Sequence, residues 1–229
     1  MTAPSLLPGI LPDRASVARA ADMLRDHLTP TPLRRSALLS ERAGVPVWLK
    51  LECAQVTGSF KVRGALTVLS RLSAEARASG VVASSAGNHG LGVAFAAKHF
   101  GAPATLFVPR HAPQVKKDGI AALGATVDDT ADDYDHAMVL AKAHAARTGT
   151  HFINPCLGED LLAGQGTVAT ELLDACPDVR TVFVCVGGGG LLGGVGAVLR
   201  HDAPGVRIVG AQSVRTAAMA RSVAAEMHS

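Results

Sequence analysis

The chain has 229 residues, of which 48% are apolar and 18% charged, and its net charge is +3. This is a folded, globular composition with enough chain for a real core, and it excludes a disordered or low-complexity segment. Basic residues are scattered and aromatics amount to 3%, so there is neither a phosphate-tracking stripe nor a base-stacking platform, and no nucleic-acid partner is expected.

The first 15 residues or so carry prolines and no basic run, and read as a loose arm, not a secretory signal. Ser16 to His27 reads as a short helix capped by Ser16 and stopped by Thr29-Pro30-Thr31-Pro32. Strands and helices then alternate. Val45–Glu52 is a strand and Ser59–Ser73 a helix. Gly80–Ala86, Ala104–Pro109 and Ala125–Thr130 are strands, followed by helices over Asn88–Gly101, Pro113–Gly124 and Asp132–Gly149. His151–Pro155 is a short strand before a helix over Asp160–Cys176. Thr181–Val186 is a strand, glycines follow, and a helix runs to about His201. Val206–Gln212 is the last strand and Thr216–His228 a helical tail. Such alternation predicts an α/β fold with parallel sheets covered on both faces.

Thr181 to Leu199 is free of charge and long enough for a membrane span. Its seven glycines argue instead for strand, loop and helix, so a soluble cytoplasmic protein with no membrane partner is expected. Cys53, Cys156, Cys176 and Cys185 fall singly with no C-x-x-C pair, which predicts buried free thiols in place of disulfides or zinc ligands.

Three stretches carry chemistry. In Thr57-Gly58-Ser59-Phe60-Lys61-Val62-Arg63-Gly64-Ala65, a lysine sits at the start of a helix, where the macrodipole favours acids. That position favours the neutral amine, the form a Schiff-base nucleophile needs, although surface lysines near helix starts are common. In Val186-Gly187-Gly188-Gly189-Gly190-Leu191-Leu192-Gly193-Gly194, glycines between a strand and a helix let backbone N–H groups crowd an anion, and four in a row exceed what a tight turn needs. Gly188, Gly190 and Gly193 also fit G-x-G-x-x-G, but the dinucleotide reading wants an acid at the end of the next strand, which ends at Gln212. In Ser84-Ser85-Ala86-Gly87-Asn88-His89-Gly90, Ser85 and Asn88 offer hydroxyl and amide groups where a carboxylate or phenolate could be held, and equally could be plain helix caps. His89 alone reads more readily as structural than as a catalytic base.

Ala163-Gly164-Gln165-Gly166-Thr167 puts two glycines inside a helix, which implies close packing or close approach of something. Asp128-Asp129 and Asp132-Asp133 straddle a strand end and a helix start, where acids are expected without a metal. Lys116-Lys117 reads as a solvated helix face.

In order and spacing, Ser59–Ala65, Ser85–Gly90, Ala163–Thr167 and Gly187–Leu191 resemble the fold-type II pyridoxal-phosphate enzymes, and among them the serine/threonine dehydratase family. The likeness spans about Pro30 to Gln212. It implies a two-domain, tryptophan synthase beta-like α/β fold with pyridoxal 5'-phosphate as cofactor. Lys61 is then the Schiff-base lysine and Cα proton carrier, Phe60 lies beside the cofactor ring, and Asn88 bonds its phenolic oxygen. Gly187, Gly188, Gly189, Gly190 and Leu191 hold the phosphate, and Ser85, Asn88 and His89 receive the substrate carboxylate. The implied reaction is α,β-elimination from L-threonine or L-serine, giving a 2-oxo acid and ammonia.

Related racemases carry a serine where this sequence has Ala86, which favours elimination, and the cysteine synthases differ at Val62-Arg63 and His89. The resemblance places a small domain at 79–154 and a large one at 1–78 with 155–229. Gln212, Thr216 and Ala218 stand where metal-binding members have oxygen ligands, so no metal is expected. The family's large domain continues further, so the chain reads as a C-terminally shortened member with an uncovered sheet edge; a non-catalytic remnant is the rival reading. A homodimer fits the family habit.

Overall fold

The computed structural model describes residues 11–225. Most of the expected N-terminal arm, and the end of the tail expected to reach His228, lie outside that range. The chain divides into two compact units, one of residues 22–154 and one of residues 155–229 with 1–21. Helix α1 (Arg14–Arg25) runs across the boundary. Asp13, not Ser16, caps it: the Asp13 carboxylate accepts the Ser16 N–H at 2.6 Å. Ser16 is buried and its hydroxyl donates to Glu159 at 2.7 Å.

In the 22–154 unit, β1 (Leu33–Arg35) and β2 (Trp48–Lys50) pair antiparallel around α2 (Ala37–Ala43). The expected strand at Val45–Glu52 is thus cut to three residues and paired antiparallel. A 3-10 turn at Glu52–Ala54 leads to α3 (Lys61–Arg71) and the short α4 (Ala74–Ser79). Then come β3 (Val81–Ser84), α5 (Asn88–Phe100), β4 (Ala104–Pro109), α6 (Gln114–Ala121), β5 (Thr126–Ala131), α7 (Tyr134–Thr148) and β6 (His151–Phe152).

The four strands β3 to β6 form one all-parallel sheet in the order β5-β4-β3-β6. Every residue of β3 is buried, as befits a strand covered on both faces. On one face Ala137 and Ala141 of α7 pack on Val82, Phe107 and Ala131; small side chains let the helix lie close. Residues 79–154, expected as a small domain, fall whole within this unit. Residues 22–78 fall in it too, because α3 packs along α5.

In the second unit α8 (Glu159–Ala175), β7 (Thr181–Cys185), α9 (Gly190–Asp202) and β8 (Arg207–Ala211) precede the short α10 (Ala218–Ala224). β7 and β8 pair in parallel over five residues. Helices α8 and α9 pack together where Leu162 and Gly166 of α8 meet Gly194 and Val198 of α9. The sheet has a bare face: Val182 and Val184 point inward while Phe183 between them is 72% exposed.

All four cysteines are free, but none is buried. Cys53 and Cys185 are exposed and Cys156 and Cys176 half-buried; Cys185 lies two residues from Phe183, on the outward face of β7. Among the described residues no helix is long and apolar enough to cross a membrane.

Candidate active site

A turn with Gly58 at φ +73° delivers the chain into α3, and Lys61 is the first residue of that helix. Its side chain is half-buried, with Nζ 5.3 Å from the centroid of the Phe60 ring, inside cation–π range. Arg63, two residues on, points into the interior with 1% of its side chain exposed. Its guanidinium grips Glu52 at 2.8 and 2.9 Å, and the Thr31 hydroxyl donates to the same carboxylate at 2.5 Å. The start of α3 is thereby tied to the 3-10 turn that follows β2. No sequence pattern pairs Glu52 with Arg63, and this contact is not foreseen from the sequence.

The second element is the start of α5. Ser85 Oγ accepts the Gly87 N–H at 3.0 Å, and the helix opens at Asn88 with no side-chain cap. The N–H groups of its first turn therefore have no intrahelical acceptor. Asn88 is exposed. One turn along the same face lies Gly92, where a Cβ would stand 3.1 Å from the backbone of Lys61 and Val62. The missing side chain lets α5 lie against the first turn of α3, which places Asn88 one helical turn from the Lys61 backbone. Gly92 is a further position not foreseen from the sequence; a second glycine inside the helix, two residues after Gly90, is its only signal.

His89 is buried, and its Nε2 lies 3.1 Å from the carbonyl oxygen of Ile153. Since a carbonyl only accepts, Nε2 carries the proton. Burial, helped by the charge of Lys61 and opposed by the Ile153 contact, pushes the His89 pKa down to about 4 from 6.5. The ring is neutral at pH 7 and is no cation for a carboxylate. Between those two values the unfolded chain binds the proton that the folded chain refuses. The stabilisation is thus complete above pH 6.5 and is lost as pH falls to about 4. That amounts to about 3 kcal/mol, and urea midpoints measured across this range should fall more steeply for wild type than for His89→Gln.

Thr57 Oγ1, Ser84 Oγ and His89 Nδ1 are buried without a hydrogen-bond partner. Buried polar atoms are nearly always satisfied, and these three lie on the segments that carry Lys61 and Asn88. The arrangement fits a polar ligand at this place.

The glycine loop lies in the other unit, between β7 and α9. Gly187 and Gly188 are exposed, Gly189 caps α9 at φ +91°, and no side chain caps the helix. The loop is hemmed in on both sides: a Cβ on Gly188 would stand 2.4 Å from Cys156 Sγ, and one on Gly189 would stand 2.7 Å from the end of Met219. Bare backbone with the open first turn of α9 behind it suits a phosphate. Gln212 donates to the Gly187 carbonyl at 3.3 Å and accepts the Ala220 N–H at 3.2 Å; it is a neutral brace where a dinucleotide site would need an acid.

The structure thus gathers Phe60, Lys61, Ser85, Asn88 and His89 in one unit and sets Gly187 to Leu191 at a helix start in the other. The blander candidates resolve locally. Asp133 caps α7 through the His136 N–H at 2.8 Å, and Asp128 holds the Thr130 hydroxyl at 2.6 Å. Lys117 is not on a solvated face: it is 8% exposed, with Nζ 2.7 Å from both the Arg110 carbonyl and Asp129. Among the described residues no group of three or more His, Cys, Asp or Glu could hold a metal.

Comparison with known proteins agrees with this picture. Residues 24–229 match the family described as pyridoxal-phosphate dependent enzymes. The chain is 41% identical over 207 residues to an L-threonine ammonia-lyase of Thermotoga maritima, covering 90% of this chain and 52% of that relative. The structure of maize serine racemase superposes with a TM-score of 0.91 at 32% identity, covering 95% of this chain and 66% of that one. A processed threonine deaminase isoform from Solanum lycopersicum does so at 0.88 and 33%, covering 99% and 66%. These neighbours share the fold-type II architecture expected from the motifs. The chain spans about half the length of the curated Thermotoga relative.

Proposed function

The chain belongs to the pyridoxal-phosphate-dependent enzyme family, and we propose that it acts as an ammonia-lyase on L-threonine or L-serine. The observation that carries this reading is Lys61 at the first turn of α3, held against α5 one turn from Asn88 amid buried polar atoms that lack partners. The similarity to threonine ammonia-lyases and dehydratases supports the choice of substrate. A small amino acid is the partner in this reading, and a second copy of the chain, in the cytoplasm, is the expected assembly.

Lys61 supplies the amine that tethers the cofactor and afterwards takes the Cα proton at Nζ. Pyridoxal phosphate, when bound, supplies the electron sink for charge developed at Cα. Phe60 would flank the bound group and Asn88 would donate to its phenolic oxygen, and the N–H groups of Gly187, Gly188, Gly189, Gly190 and Leu191 would offer a phosphate the uncapped start of α9. The substrate carboxylate is received by Ser85, Asn88 and the backbone N–H of His89 at the uncapped start of α5. The His89 ring takes no part in that, being turned to Ile153. Ala86 has no hydroxyl with which to return a proton, so elimination is favoured over the racemisation named in one structural neighbour.

Purified protein mixed with pyridoxal phosphate should develop the visible absorbance of a lysine-bound cofactor, and Lys61→Ala should not. The wild type should also release 2-oxobutanoate from L-threonine. Identical spectra for the two proteins would remove Lys61 from its role; absorbance without keto acid would favour a non-catalytic remnant, and D-serine formed from L-serine would favour a racemase.

A further inference from the structure

Building on the reading of Gly187 to Leu191 as the phosphate site, we propose that Gln212 is a positioning residue for the cofactor phosphate. Its side-chain amide holds the Gly187 carbonyl and so keeps the Gly188 N–H turned to the anion. Gln212 follows β8 and spans two neighbours. Its Nε2 donates to the Gly187 carbonyl at 3.3 Å, and its Oε1 accepts the Ala220 N–H at 3.2 Å.

A trans peptide is planar, so the Gly187 carbonyl and the Gly188 N–H point in opposite directions. Fixing one fixes the other, and the N–H is turned away from Gln212. Unbraced, this peptide would be unusually free, because both dihedrals that adjoin it belong to glycines. A flip would put a carbonyl oxygen in place of the N–H, and an anion is repelled by it. The sheet does not reach this peptide. The β7–β8 pairing carries on to the Val186 N–H, which donates to the Ala211 carbonyl at 2.8 Å; Gly187 and Gly188 lie beyond it, both exposed.

The other end of the amide anchors the brace. Helix α10 has no side-chain cap, which leaves the N–H groups of its first turn without intrahelical acceptors. Gln212 supplies one of them, for Ala220. The same helix sets Met219 against the loop, where its terminal methyl would meet a Cβ on Gly189 at 2.7 Å. Gln212 therefore ties the Gly187–Gly188 peptide to an element that already packs on its neighbour.

Gln212→Met removes both hydrogen bonds and keeps the length of the side chain. Pyridoxal 5'-phosphate and pyridoxal, which lacks the phosphate, are each titrated into the full chain, and the absorbance of the lysine-bound form gives two dissociation constants. The constant for pyridoxal 5'-phosphate should rise by about three- to tenfold, the scale of one hydrogen bond, while that for pyridoxal stays unchanged. Gln212→Glu keeps the acceptor for Ala220 and loses the donor to Gly187, so it should weaken the phosphate ester at least as much. Equal weakening of both compounds, or of neither, overturns the proposal.

A measurement on wild type decides if the variants fail to fold. Inorganic phosphate, followed by backbone amide NMR without cofactor, should move the Gly188 resonance. Phosphate that shifts Gly189 to Leu191 and leaves Gly188 unmoved overturns the role of Gln212 while the loop keeps its own; phosphate that shifts none of them overturns both. This arm needs no bond to Lys61. A wild type that shifts Gly188 with phosphate, yet forms no lysine-bound absorbance, would sink the ammonia-lyase reading and leave the brace standing.

Discussion

In Glu52→Ala the unit spanning residues 22–154 should lose about 3–5 kcal/mol of stability, the scale for breaking a buried ion pair from one side. The Arg63 guanidinium is 1% exposed and holds Glu52 through two hydrogen bonds. Removing the carboxylate takes both of these hydrogen bonds from a buried charge and an acceptor from the Thr31 hydroxyl as well. The loss should shrink when both charges go: Glu52→Leu with Arg63→Met removes the cost of burying the guanidinium along with the attraction that offset it. Fluorescence of Trp48, on β2 in the same unit, follows unfolding in urea. Equal losses in the single and double variants would show that the ion pair is not what stabilises this region. The same single variant should also weaken pyridoxal-phosphate binding, since Arg63 is one residue beyond Val62 on the turn that presents Lys61.

What the sequence disclosed follows from the range of the interactions involved. The centre of the parallel sheet was legible because β3 and β4 are short apolar runs, each followed by a helix, and because Gly101 and Gly149 end α5 and α7 in the left-handed conformation. The β1–β2 pair was not, because Leu33–Arg35 has three residues and becomes a strand only by meeting Trp48–Lys50. The same holds for α1, whose serine looked like the cap until Asp13 reached its N–H and Glu159 claimed its hydroxyl. Lys117 carried a surface residue's signature and is held inward by Asp129 and the Arg110 carbonyl, contacts no local pattern announces. Among the candidate residues, Lys61, Asn88 and the glycine loop stand out in the sequence because each opens a helix after a turn. Glu52, Gly92 and Ile153, which brace the starts of α3 and α5, do not, since each acts across a distance in sequence that spacing does not encode.

The other large effect is expected in the second unit, from a single methyl group. Gly194→Ala would place a Cβ 2.4 Å from the Leu162 carbonyl oxygen and 2.7 Å from the Gly166 nitrogen, both backbone atoms of α8. Neither can rotate away, so α8 and α9 must separate. Overpacking of this kind costs roughly 1–3 kcal/mol and more where backbone is met, against about 1 kcal/mol gained from alanine's helix propensity. Gly166 faces the same crossing, where a Cβ on it would lie 3.1 Å from the Gly194 carbonyl oxygen, which accounts for Gly166 in the Ala163–Thr167 stretch by close packing. Gly196, two residues along α9, has nothing within 4 Å. Gly196→Ala should therefore stabilise by up to about 1 kcal/mol, so the two variants are expected to move the thermal midpoint in opposite directions. Because α9 begins at Gly190, directly behind the glycine loop, Gly194→Ala should also weaken pyridoxal-phosphate binding while Gly196→Ala leaves it unchanged. A Gly194→Ala protein as stable as Gly196→Ala would mean that the helices do not cross where these glycines place them.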